Sequence, residues 1–126
     1  ANDQESGSLK NLKEMTLIVN VNNLDSTFSI DNIKEFYPYQ ISVLDDKAID
    51  ELIYSKKEGY ALLFGYPIFA SVGQSYLYTV TDFSSNSKIT YNVLKPIRKL
   101  EYYSEFPFKA KNISEKTIEK LIDKIE

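Results

Sequence analysis

Apolar and polar residues alternate in four stretches of this chain and recur at helical spacing in two others. Met15 to Leu24 sets Met15, Leu17, Val19 and Val21 against Thr16, Ile18, Asn20 and Asn22, a period of two that predicts a strand. Asp25-Ser26-Thr27 then signals a turn, and Phe28 and Ile30 suggest a short extended piece. Asp31 is placed to cap a short helix, Asn32 to Phe36, which Pro38 stops. Tyr39 to Leu44 alternates again. From Asp46 to Lys57 the stripe Ala48, Ile49, Leu52 and Ile53 predicts a helix, with Asp45 or Asp46 as its cap and Gly59 closing it in the left-handed conformation. Tyr60 to Phe64 is nearly all apolar, the signature of a central strand, and Gly65 and Pro67 interrupt it. Ile97 to Tyr103 is a further candidate strand. Ile113 to Ile125 repeats helical spacing through Ile118, Leu121, Ile122 and Ile125, with Asn112 or Ser114 as the cap.

Tyr76 to Phe83 and Lys88 to Leu94 flank Ser84-Ser85-Asn86-Ser87, which predicts a hairpin with a four-residue loop. In that register, partners sum to 171. Val80 then faces Tyr91, and Tyr78 faces Val93. The Tyr/Val/Ile face is expected on the core, and the row of Thr79, Thr90 and Asn92 is expected to be more exposed.

The element order is strand, short helix, strand, helix, three or four strands, helix. It predicts an α+β domain: a mixed or antiparallel sheet packed by two main helices, about 46–57 and 113–125. Residues 1–12 read as a flexible polar leader, and 13–126 as one domain. The terminal helix after a strand cluster invites comparison with a cysteine-free thioredoxin-like domain. The strand succession after Tyr60, however, leaves no place for that family's middle helix.

Composition narrows the chemistry. The chain of 126 residues has no His, Cys or Trp, and its aromatics are ten Tyr and seven Phe. The usual general base, the thiolate nucleophile, and the ordinary structural zinc ligands are therefore missing. What remains is binding, or catalysis by carboxylates, lysine or tyrosine. The net charge is −3 and Arg98 is the only arginine, which gives no footing for nucleic acid. Eleven acids and six lysines precede Phe64, and nine bases and seven acids follow Leu63. No apolar run reaches the ~20 residues of a membrane-spanning helix, and no cofactor motif is present. The small polar residues 1–8 resemble the stretch after the processing site of exported, lipid-tethered envelope proteins.

The acidic set Asp45, Asp46, Asp50 and Glu51 suggests a hard cation, but it lacks the spacing of a calcium loop, and helix capping explains it. The many carboxylates leave a glycosidase open in principle, although their spacing in a fold cannot be read from sequence. Tyr60, Tyr66, Tyr76, Tyr78, Tyr91, Tyr102 and Tyr103 divide between core and recognition roles, with Tyr76, Tyr78 and Tyr91 expected in the core. Adjacent Tyr102 and Tyr103 should face opposite ways in a strand, so at least one is exposed. With Arg98 and Lys99 they form the candidate binding surface, inside a basic segment from Lys88 to Lys111. Asn112-Ile113-Ser114 matches the acceptor pattern for N-glycosylation, although a cap serves better. The reading is a non-catalytic binding module, exported to a cell envelope or periplasm, whose partner is another protein or an envelope component. The alternatives are a small carboxylate- or lysine-based enzyme, and a cytoplasmic inhibitor or immunity-type protein with an acidic face.

Overall fold

The computed structural model describes residues 9–70, 73–84, 88–93 and 111–126. Five strands form one mixed sheet in the order β2-β1-β3-β4-β5. They are β1 (Thr16–Asn20), β2 (Ile41–Leu44), β3 (Tyr60–Ala70), β4 (Gly73–Asp82) and β5 (Lys88–Val93). The helices are α1 (Ile30–Phe36), α2 (Asp46–Ser55) and α3 (Glu115–Ile125). β1 lies parallel to both β2 and β3, and the β3-β4 and β4-β5 pairs are antiparallel. The arrangement is α+β, as the element order predicts.

β1 is central, and Leu17, Ile18 and Val19 are all fully buried, because both faces of the sheet are covered. Leu17 and Val19 meet Ile33 of α1 and Ile118, Leu121 and Ile125 of α3 on the first face. Ile18 meets Ile49 of α2 and Phe83 on the second. The helix that crosses the opposite face is α2, and it precedes Tyr60.

Several expected boundaries move for identifiable reasons. β1 stops at Asn20 rather than reaching Leu24, because the Asn20 side chain accepts from the Asn22 amide at 2.9 Å. That local bond favours a 3-10 turn, Val21–Asn23, over continued pairing. α1 is capped by Ser29, not Asp31: the Ser29 hydroxyl accepts from the Asn32 amide at 3.1 Å, and the Asn32 side chain accepts from the Ser29 amide. Tyr37, which precedes Pro38, is extended and ends the helix. Asp45 caps α2 through the Ala48 amide at 2.9 Å. Its C-terminus is closed by Lys56 at φ 52°, ψ 48°, not by Gly59. The Lys56 and Lys57 amides return to the Ile53 and Leu52 carbonyls in a Schellman arrangement. Gly59 is also left-handed, at φ 83°, but it serves the turn into β3. Ile53, expected in the buried stripe, is 47% exposed, while Ile49 anchors the helix.

β3 continues through Gly65 and Pro67, where a break was expected. β1 pairs with β3 only as far as Leu62. At Pro67 the other side of β3 meets no strand among the described residues, the edge condition under which proline is tolerated. In the leader, residues 1–8 lie outside the described residues, but Leu9 and Leu12 are buried in the first-face core, so the domain begins before residue 13.

The β4-β5 hairpin keeps the expected faces but not the expected register. Val80 pairs with Ile89, Tyr78 with Tyr91 and Thr79 with Thr90, so partners sum to 169. Asp82 explains the two-residue shift. Its carboxylate accepts from both the amide and the hydroxyl of Ser84 at 2.9 Å, which turns the chain before it can pair with β5. Val80 is buried as expected, whereas Thr79 is only 3% exposed and not the solvent-facing residue anticipated. β4 is an interior strand, and the Thr79 hydroxyl is satisfied by the Phe64 carbonyl. Side-chain exposure of Thr90, Tyr91, Asn92 and Val93 lies outside what is described, as does the candidate strand Ile97 to Tyr103.

Candidate functional site

Where β1 and β2 end, the chain leaves one strand toward α1 on the first face and the other toward α2 on the second. Such a switch point is the usual ligand crevice of parallel strands. Here it is closed by side chains. Asn20 donates its amide to the Asp46 carboxylate across the gap at 2.5 Å, and the Asp45 carboxylate accepts from the Ala48 amide of α2. These two acids do structural work, which agrees with the capping reading of the Asp45–Glu51 set. No cluster of three or more metal-ligating side chains exists among the described residues.

A second polar node docks α3 onto the sheet. Asn112 donates its amide to the Gly65 carbonyl at 2.9 Å, and the Tyr78 hydroxyl donates to the Asn112 carbonyl. The Thr117 hydroxyl reaches the same carbonyl at 3.2 Å. Ile113 bridges to Leu24 in parallel fashion, through its amide to the Asn23 carbonyl and its carbonyl from the Asp25 amide. Ser114 caps α3, with Thr117 completing the box. A Cβ on Gly65 would stand 2.7 Å from the Tyr78 ring and 2.8 Å from the Asn112 amide, so the close approach needs glycine. Asn112 is buried and its amide nitrogen is committed, so the folded domain does not present the Asn112-Ile113-Ser114 pattern as a glycan acceptor.

Two buried tyrosines differ in their partners. Tyr78 is bonded as above, while the Tyr37 hydroxyl, in a residue only 2% exposed, has no hydrogen-bond partner among the described residues. The Tyr37 ring packs edge-on against Tyr39 at 5.5 Å, and the Tyr39 hydroxyl donates to Glu126 at 3.0 Å. Burial pushes the hydroxyls of both Tyr37 and Tyr78 well above the ordinary tyrosine range; neighbouring Tyr39 adds to the effect at Tyr37.

Arg98, Lys99, Tyr102 and Tyr103 lie outside the described residues. The described surface offers a different candidate on α2. Tyr54 is 91% exposed and Ile53 is 47% exposed, on a helix whose opposite side holds Ile49 and Leu52 to the core. Asp50, Glu51, Lys56 and Lys57 surround the pair and are exposed. Tyr66 on β3, stacked edge-on against Phe64 at 4.8 Å, is the other exposed aromatic among the described side chains. The sequence carried the signal for Tyr54: at 3.6 residues per turn it falls opposite Ile49 and Leu52. Among the described residues no helix is long and apolar enough to cross a membrane. No family model, curated protein or solved structure matches this chain.

Proposed function

We propose that this chain is a non-catalytic binding module that engages another protein or an envelope component through the outer side of α2. One observation carries the reading: Tyr54, almost wholly in solvent, stands beside half-exposed Ile53 on a helix anchored by its other face. A large, fairly rigid side chain with a polar tip suits recognition, and it loses little freedom when bound. The acidic-face inhibitor reading is weaker, because Asp45 and Asp46 are spent on the helix cap and on Asn20. An exported, envelope-located setting goes with the proposal on the composition of residues 1–8; fractionation of expressing cells tests it, and cytoplasmic recovery would overturn it.

Site-specific photocrosslinking tests the contact surface. A photoreactive residue at Tyr54 should give discrete adducts in cells, and one at exposed Lys34 on α1 should not. Equal labelling at both positions, or none at Tyr54, would remove the α2 surface from consideration.

A further inference from the structure

The sheet ends at β2, and its outer edge is unguarded. Leu17 lies opposite Ile41, and the Leu17 amide donates to the Gln40 carbonyl at 2.9 Å. In that parallel ladder the backbone groups of Gln40, Ser42 and Leu44 face β1, so those of Ile41 and Val43 point away from the sheet. These outward groups have no partner among the described residues. Ile41–Leu44 carries no charge, proline or bulge, devices that blunt an exposed edge. The strand is also held still at both ends. The Thr16 hydroxyl donates to the Gln40 side chain at 3.0 Å, and the Asn20 amide donates to Asp46. The edge is thus ordered before anything binds it.

We propose that this edge pairs antiparallel with the same edge of a second copy, joining two sheets into one. A strand is the occupant because unpaired backbone donors and acceptors in a row are satisfied by another strand. The second copy is named by the match of bonds and faces. A two-fold contact is reciprocal: if residue i meets j, then j meets i. Antiparallel hydrogen-bonded pairs need outward groups on both members. With the axis through Ser42, Ile41 meets Val43 of the second copy and Val43 meets its Ile41. Each pair exchanges two bonds, so every outward amide and carbonyl of Ile41 and Val43 is used. A two-fold axis normal to the sheet keeps like faces together. Ile41 and Val43, partly buried against the first-face core, then cover each other, and the two serines meet on the second face. No like charges oppose, since the paired strands are uncharged. Four residues a side bury less than the roughly 1,200 Å² of a standard interface, so the dimer is weak and transient. The pairing uses none of the α2 surface and stands or falls apart from it.

Sedimentation equilibrium of the full chain, up to about millimolar protein where an interface this small becomes populated, should show a monomer-dimer equilibrium. Amide hydrogen exchange over the same range, read residue by residue by NMR, locates the contact. The Ile41 and Val43 amides should slow severalfold as protein concentration rises, while Ser42 and Leu44, already bonded to β1, should not change. Val43→Pro removes one outward amide and leaves the β1 ladder whole, a substitution that an edge strand tolerates. It should weaken association about tenfold or more. Circular dichroism checks that the variant is folded; if it is not, the alternation of exchange along β2 in the unmodified chain decides alone. A chain that stays monomeric, a dimer whose Ile41 and Val43 amides stay unprotected, or a folded Val43→Pro variant that associates like the unmodified chain would each overturn the pairing. If the chain is monomeric while Tyr54 still crosslinks to a different protein, the edge pairing falls and the binding-module reading stands.

Discussion

Tyr37 and Tyr78 should respond with opposite sign to the loss of a hydroxyl. Both rings lie in the first-face core, 2% exposed, so replacement by Phe preserves almost all of their packing. The Tyr78 hydroxyl donates to the Asn112 carbonyl, and the single Thr117 hydroxyl proton is shared between that carbonyl and the Tyr78 oxygen, in buried surroundings. Removing it deletes a donor that the carbonyl keeps only in part through Thr117. The expected loss is about 1–2 kcal/mol, a net hydrogen bond plus an under-satisfied acceptor. The Tyr37 hydroxyl has no partner among the described residues, so the folded state bears its desolvation without return. Tyr37→Phe should therefore stabilise the domain by about 1 kcal/mol, the low end of the cost of an unsatisfied buried polar group. Urea unfolding followed by circular dichroism reads both values. For a chain of this size each kcal/mol should move the thermal midpoint by roughly 3–5 °C. If Tyr37→Phe instead lost about 1 kcal/mol or more, that hydroxyl would have a partner, and the contrast with Tyr78 would be refuted.

The same two groups make stability sensitive to alkali. Their hydroxyls ionise near the ordinary value only when unfolded, since burial raises them in the fold. Stability should be unaffected by them below about pH 10 and should fall above it, by up to about 1.4 kcal/mol per pH unit for each group; urea midpoints taken from neutral to alkaline pH check the onset, and a fall beginning well below that range would point to other groups. Lys56→Gly should stabilise by about 0.5–1 kcal/mol by relieving a left-handed lysine, measured by urea unfolding. Gly65→Ala should cost about 1–3 kcal/mol as the new methyl displaces Tyr78 or Asn112, and hydrogen exchange at the Ile113 amide should speed up; an unchanged domain would show that the node yields without cost.

The sequence makes legible what periodicity and capping chemistry govern. α3 keeps its apolar stripe within two residues of the expected start, and Asp45 caps α2 as its position implies. What it hides depends on competition between local bonds and pairing. Nothing in the alternation through Val21 shows that the Asn20 side chain will turn the chain, and the four polar residues Ser84–Ser87 conceal that Asp82 starts the loop early. Alternation also misjudges strands covered on both faces: Thr79 carries a polar side chain yet lies at 3% exposure with its hydroxyl bonded to a neighbouring strand. The candidate surface read from the sequence lies outside the described residues. Arg98, Lys99, Tyr102 and Tyr103 were singled out by residue type, whereas exposed Tyr54 is identified by its angular position on α2, a signal the spacing contained.

The two faces of the sheet are anchored unequally, and this bears on α2 as a contact surface. Among the described residues the first face holds a cluster of seventeen buried side chains, including those that fix α1 and α3. The second holds three, Ile18, Ile49 and Phe83, and α2 contributes only Ile49 to them. A helix with few buried contacts, a left-handed lysine at its end and an exposed apolar pair belongs to the low-stability part of the domain. Its amides should open by local unfolding while α3, with Ile118, Leu121 and Ile125 fully buried, opens only with the whole chain. Hydrogen exchange should therefore show α2 exchanging well before α3 in dilute protein. A partner that binds only ordered α2 would stabilise it by mass action, so exchange in α2 should slow when that partner is added while α3 is unaffected. If α2 were as protected as α3 when dilute, the argument from unequal burial would be wrong.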